Sequence, residues 1–353
     1  MQGENEGRDS ARRISRRGLL KGVGTAGTVF AGAAVTTQPA TAGDSGDKSG
    51  DCDVEEDPTA VYTADHIDTD WMGSVQLVDG HAKTEYDRIG TPFPDNPDEL
   101  VIHCHGWQNG SECGKRRVKL TKEAYEEQDY DGTVSGLVWD SSYAWWNAKD
   151  IADKNAPKLA QFLVDFKEDN PDTTVRLQGH SLGARVVAET LLELDHREEY
   201  NILTSAIFLA GAIENDSVAM DGRYGPAIER VVQHAENFWM EDDTILDWAF
   251  TTYEFSRAIG NDGCDGEPPA NYTDHEKQLD DHSNHYKPDV GVIPEVIETF
   301  EEETETENTP EDDENATDSG DDDYGVPGMT LPAVGLGLGA GTLLARAWDR
   351  FGD

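Results

Sequence analysis

Ser181 stands between Gly179 and Gly183 in the run Gly179-His180-Ser181-Leu182-Gly183-Ala184. A serine hydroxyl is a poor nucleophile at neutral pH. It attacks a carbonyl only when a base takes its proton and N–H groups receive the oxyanion. Glycines two residues to either side permit a turn so tight that a side chain there would clash. Thr174-Val175-Arg176-Leu177-Gln178 ahead of it is β-branched and apolar, and Val187, Leu191 and Leu194 behind it recur at spacings of three and four. The stretch reads as strand, sharp turn and helix, with Ser181 at the tip. The Leu182 amide opens that helix and can donate to an oxyanion, reinforced by the positive end of the helix dipole.

The base and its orienting acid must come from other parts of the chain. Three histidines crowd one late segment that reads as a loop, in Asp274-His275, Asp281-His282 and Asn284-His285-Tyr286. Glu241-Asp242-Asp243 follows the strand-like run Ala235 to Met240, and Asp216 lies beyond an earlier strand. Functional side chains in open α/β sheets gather at the carboxyl ends of strands, so Asp243, Asp242 and Asp216 are the candidate acids. Such an acid holds the imidazole in one tautomer and stabilises its charged form.

The elements that must carry these groups follow from periodicity. Leu100 to Trp107 reads as a buried strand ending in His105-Gly106, Thr133 to Asp140 as a second strand and Thr204 to Ile213 as a third. Trp71 to Val78 suggests an early strand. Helices are expected over Val118 to Glu127, over Ala152 to Phe166 with Leu159, Phe162, Leu163 and Phe166 on one face, over Pro226 to Gln233, and from about Pro294. Alternation of strand and helix predicts an α/β fold with a mostly parallel sheet. Tyr143, Trp145 and Trp146 could line an acyl pocket or simply pack the core.

The Gly-His-Ser-Leu-Gly-Ala wording resembles the lipase and esterase members of the α/β-hydrolase superfamily. That resemblance implies a mostly parallel sheet with helices on both faces and a triad in the chain order serine, acid, histidine. It implies that the loop after the Leu100 strand supplies a second oxyanion donor, the Trp107 amide. Asp243 before Thr244-Ile245-Leu246 is similar to the family pattern of an aspartate ahead of a short apolar turn. His282 with Tyr286 four residues on resembles the lipase pattern around the base, and His285 and His275 are the alternatives. The expected reaction is hydrolysis of a carboxylic ester, of a small molecule or a lipid, needing neither metal nor organic cofactor. Two other readings share these residues: a peptidase or amidase on the same fold, and a surface binding module that performs no chemistry.

Composition narrows the class further. Acidic residues number 72 against 28 basic, a formal charge of −44, so a phosphate backbone is an unsuitable partner. With 36% hydrophobic residues and eight tryptophans the chain can still pack a core, which favours a protein adapted to high salt over a disordered one. Cys52, Cys104, Cys113 and Cys264 show no Cys-x-x-Cys spacing, so a zinc-thiolate site is not suggested, and their pairing is not readable.

Residues 1–42 resemble a twin-arginine signal of the kind found on exported haloarchaeal proteins, with Ser15-Arg16-Arg17-Gly18-Leu19-Leu20-Lys21 ahead of a mildly apolar run and Ala40-Thr41-Ala42 at its end. Residues 43–59 read as a linker, 60–300 as the hydrolase domain and 301–325 as an acidic disordered tether. Residues 326–353 hold a run of small and apolar residues closed by Arg346 and Arg350, expected to anchor the exported protein in the membrane or to act as a sorting tail. Asn109, Asn215, Asn271 and Asn315 begin glycosylation sequons.

Overall fold

The computed structural model describes residues 52–307. The expected signal segment and the acidic and apolar stretches beyond residue 307 lie outside the described residues. Compactness divides the chain into a unit ending at Thr304 and a second beginning at Glu305, and every site residue below belongs to the first.

In chain order the strands are β1 (Ala60–Tyr62), β2 (Ile67–Thr69), β3 (Val75–Leu77), β4 (Asp87–Ile89), β5 (Glu99–Cys104), β6 (Thr133–Val138), β7 (Thr174–His180), β8 (Ser205–Leu209), β9 (His234–Trp239) and β10 (Tyr272–Glu276). The helices are α1 (Ser111–Glu126), α2 (Trp145–Asp169), α3 (Leu182–His196), α4 (Gly225–Val231), α5 (Thr244–Ala249), α6 (Ile259–Asp262) and α7 (Ile293–Glu307). Eight strands form one sheet in the order β10-β9-β8-β7-β5-β6-β1-β4, and β2 pairs with β3 in a separate ribbon. Every pairing in the large sheet is parallel except β1 with β4 at one edge.

Both faces of this sheet are covered, and the reason is legible residue by residue. Strand side chains alternate between faces. Leu100 and Ile102 of β5, with Val175 and Leu177 of β7, pack with Leu159, Phe162 and Phe166 of α2 and Val187 and Leu191 of α3. Val101, together with Ile207 and Leu209 of β8, packs on the other face with Tyr125 of α1 and Val296 and Phe300 of α7. A strand flanked by helices on both sides favours apolar residues on both faces, which explains the runs Leu100–Ile102 in β5 and Ala206–Leu209 in β8. With the elbow strand β7 near the centre and helices on both faces, this is the α/β-hydrolase fold.

Several expectations shift. Helix α2 begins at Trp145 and carries Pro157 inside it, so its first two turns were missed. Trp71 and Met72 are exposed and form the turn between β2 and β3 rather than part of a strand. His275 lies in edge strand β10, not in a loop. Helix α7 runs to Glu307, into the stretch expected to be a disordered tether. Its Glu303 is buried against the Arg176 guanidinium, which also stacks on the Phe300 ring at 3.9 Å. Cys52, expected within a solvated linker, is buried and bonded to Cys113 of α1. Cys104 and Cys264 are free thiols.

Candidate active site

Strand β7 delivers Ser181 into a turn with φ +54° and ψ −123°, a conformation that costs a residue with a side chain about 1–3 kcal/mol. The surroundings hold it there. Ser181 N donates to Leu209 O at 2.9 Å, and Ser181 O accepts from Ala184 N and Ala212 N, each at 3.0 Å. Close approach of strand and helix accounts for the glycines. A Cβ on Gly183 would lie 1.9 Å from Cys104 O, and one on Gly179 would lie 2.6 Å from Gly183 O.

The loop after β5 passes directly over the serine, since a Cβ on Gly106 would sit 2.8 Å from the Ser181 Cβ. Its backbone is tied from two sides. Asn109 Nδ2 donates to Gly106 O at 3.0 Å and Trp107 O at 2.9 Å, and Arg117 Nε donates to Asn109 Oδ1. Ser141 Oγ lies 2.8 Å from Gly106 O, and Ser141 O accepts from Gln108 N at 3.1 Å. The amides of Gln108 and Asn109 are thereby occupied, whereas among the described residues no acceptor is paired with the Trp107 amide. The Trp107 indole donates to Tyr143 O and its ring meets Trp145 edge-on at 5.1 Å. Trp145 is buried and also stacks on Tyr253, while Trp146 stays exposed. Asn109 and Ser141 escaped the sequence reading because their role depends on a backbone path that no local pattern encodes. The Asn109 amide is buried in these bonds, and Asn271 Nδ2 is likewise bonded to Ile228 O and Val232 O, so neither serves as a sequon in the folded chain.

Asp243 ends the turn after β9 and caps α5. Its Oδ1 accepts from Ile245 N at 3.1 Å and Leu246 N at 3.0 Å, while its Oδ2 is 2.5 Å from His282 Nδ1. Asp243 is fully buried. Burial pushes its carboxyl pKa up, but the neighbouring His282, the Leu246 amide and His285 outweigh that and hold it below 3.8. Because a carboxylate only accepts, Nδ1 of His282 carries the proton and Nε2 is left as the basic nitrogen.

His282 opens a short 3-10 helix, His282–Tyr286, capped by Asp281, whose carboxylate accepts from Ser283 N. Its carbonyl accepts from His180 Nε2 at 3.0 Å and from His285 Nδ1 at 3.1 Å. His180, the residue before Ser181, packs its ring 4.8 Å from that of His282 and 4.6 Å from that of Tyr286. His180 therefore links the elbow to the late segment, a role that nothing in the local sequence marks. Burial lowers its pKa well below 6.5, so it bridges as a neutral ring.

The other candidates fall elsewhere. Asp242 and Asp216 are exposed. His275 Nε2 is 2.6 Å from Glu236 Oε2. His285 is buried, with Nδ1 committed to His282 O and Nε2 unpartnered, and burial lowers its pKa to about 4. His105 at the end of the β5 run is also buried and depressed to about 4, its Nδ1 bound to Gly106 O and its Nε2 accepting from Trp139 N. Two groupings have the proximity for a cation, Asp65 with His66 and Asp87, and His234 with Glu236 and Glu303. Neither includes Ser181, Asp243 or His282.

A family model described as "Protein of unknown function (DUF726)" matches residues 137–265, from within β6 to just past α6. The match includes Ser181 and Asp243 and stops short of His282. No curated protein matches the chain. Among solved structures, an uncharacterized protein from Bacillus cereus ATCC 10987 is 17% identical over 64% of this chain, with a TM-score of 0.37, and the match spans 65% of its length. A predicted CIB-like hydrolase from Thermoplasma acidophilum is 13% identical over 64% of this chain and 92% of its own, TM-score 0.35. Est1E from Butyrivibrio proteoclasticus is 14% identical over 60% of this chain and 90% of its own, TM-score 0.35.

Proposed function

We propose that the protein is a serine hydrolase that cleaves carboxylic esters through an acyl-enzyme on Ser181. The observation that carries this reading is the contact of His282 Nδ1 with the buried Asp243 carboxylate, on a segment packed against the residue next to Ser181. A surface histidine has no need of a buried, doubly capped carboxylate. One that must accept and return a proton does, because the carboxylate fixes its tautomer and stabilises the imidazolium.

In this mechanism Ser181 Oγ attacks the ester carbonyl carbon as its proton passes to His282 Nε2. The oxyanion is received by the amides of Leu182 and Trp107. Collapse breaks the bond to the alkoxy oxygen, His282 returns the proton to it, and the alcohol leaves. Water then attacks the acyl-enzyme, its proton going to His282, and release of the carboxylic acid restores the Ser181 hydroxyl. No group outside the chain is required. Hydrolysis of short p-nitrophenyl esters by wild type and by Ser181→Ala tests the reading: the variant should lose about 10³-fold or more in kcat, and equal rates would remove Ser181 from the chemistry. A matched amide panel separates the esterase from the peptidase reading.

We further propose that the chain is exported. The Cys52–Cys113 disulfide supports an oxidising compartment, in keeping with the N-terminal twin-arginine pattern.

A further inference from the structure

We propose that Asp65, His66 and Asp87, none of them a residue of the hydrolytic site, form a binding site for one divalent transition-metal ion of the zinc class. His66 is fully buried, and its Nδ1 is 3.2 Å from Glu85 O. A backbone carbonyl only accepts, so this contact calls for the proton on Nδ1 and turns Nε2 toward the carboxylates. Nε2 faces two carboxylate oxygens, Asp87 Oδ2 at 3.2 Å and Asp65 Oδ1 at 3.7 Å. With Nδ1 donating to Glu85 O, Nε2 and the two carboxylate oxygens make three acceptor atoms around one point, an arrangement that a cation between them would stabilise.

The cation could be a proton on Nε2 or a metal ion, and the geometry favours the metal. A charged N–H donating to a carboxylate closes to about 2.7–2.9 Å. A tetrahedral ion with bonds of about 2.0–2.1 Å instead spaces its ligands roughly 3.3–3.4 Å apart, which the two distances here bracket. The His81 ring stacks on that of His66 at 3.9 Å, and the Lys158 ammonium donates to the same Glu85 carbonyl at 2.9 Å, so the imidazole is held in place from two sides. An imidazole fixed through Nδ1 by a backbone carbonyl is the usual preparation of a metal-binding histidine. Imidazole with carboxylates selects zinc-class ions over calcium or magnesium, which prefer oxygen alone.

The fold suggests what the ion does. Asp65 and His66 lie in the short connection from β1 to β2, and Asp87 begins β4, the antiparallel partner of β1, where it faces Tyr62. An ion here would close the excursion from residue 63 to 86 that contains the β2–β3 ribbon, pinning the only antiparallel edge of the sheet. Both carboxylates are largely exposed, so solvent can complete the coordination.

The test is titration of the full chain, stripped with chelator, against Zn²⁺ alone by calorimetry, with Co²⁺ as a spectroscopic substitute. Wild type should take up one equivalent far more tightly than the rest, show the visible band of tetrahedral Co²⁺, and gain thermal stability. His66→Gln and Asp65→Asn should each weaken that equivalent about tenfold or more, while Asp172→Asn, which removes an exposed carboxylate elsewhere, should leave it intact. Asp65 is exposed, so its variant reports even if His66→Gln folds poorly. Equal zinc uptake by wild type and both site variants, or no tight equivalent in wild type, would overturn the proposal, since the 72 acidic residues bind ions diffusely.

Discussion

Replacing Asp243 by Asn tests the positioning of His282 without emptying the site. The carboxylate has two occupied ends: Oδ1 accepts from the Ile245 and Leu246 amides, and Oδ2 meets His282 Nδ1. An asparagine can satisfy only one end. With its oxygen toward the amides, its NH₂ confronts Nδ1–H, and the imidazole must move its proton to Nε2, where it can no longer accept one from Ser181. The opposite orientation points the NH₂ at two backbone donors and loses two hydrogen bonds of about 1 kcal/mol each. The first orientation should therefore prevail, and the wrong tautomer should lower kcat by about 10³- to 10⁴-fold, or roughly 4–5.5 kcal/mol of transition-state stabilisation. The assay is steady-state hydrolysis of a p-nitrophenyl ester, with circular dichroism showing that Asp243→Asn is folded. A folded variant within about tenfold of wild type would refute the assignment of Asp243 as orienting acid.

Acid should destabilise the protein early. Burial holds His103 at about 3 and His105 and His285 at about 4, against 6.5 when unfolded, so the unfolded chain binds protons first. Stability is then complete above about pH 6.5 and falls toward pH 4, each ring adding about 1.4 kcal/mol per pH unit across its window. Asp243, depressed below 3.8, adds its own loss at still lower pH. Denaturant midpoints flat from pH 7 to 4 would contradict this. Gly183→Ala would drive a methyl to 1.9 Å from Cys104 O and should cost about 3 kcal/mol, seen as a melting point some 6–12 °C lower or as insoluble protein. An unchanged melting point would mean that strand and helix are less closely apposed. The Cys52–Cys113 bond closes a loop of sequence separation 61, and chain entropy assigns it about 4 kcal/mol. Cys52→Ser with Cys113→Ser should lower the melting point accordingly, and no change would show residues 52–59 to be passive.

The sheet was legible because strands covered on both faces carry apolar residues on both, as Leu100–Ile102 of β5 and Ala206–Leu209 of β8 do, with Val175 and Leu177 marking β7 between its polar residues. The elbow was legible because only glycine tolerates approaches such as Gly183 to Cys104 O. The three-residue strands β1, β2 and β4 carried too little pattern to read. β10 escaped for a different reason: it is an edge strand whose Thr273, Asp274 and Glu276 are exposed, so burial left no periodicity. Asp243 and His282 came forward through resemblance, since 72 acidic residues make any single carboxylate anonymous. Asn109, Ser141 and His180 act through backbone carbonyls brought together from distant segments, and no spacing in the sequence records that.

The central claim is that the Ser181 hydroxyl is a nucleophile activated by His282. It is tested most directly by exposing the full chain to a fluorophosphonate and measuring intact mass followed by peptide mapping. One adduct per chain on Ser181 is predicted, with labelling slowed by orders of magnitude in His282→Gln. Folded wild-type protein that acquires no adduct, or acquires it equally fast in His282→Gln, would contradict the claim.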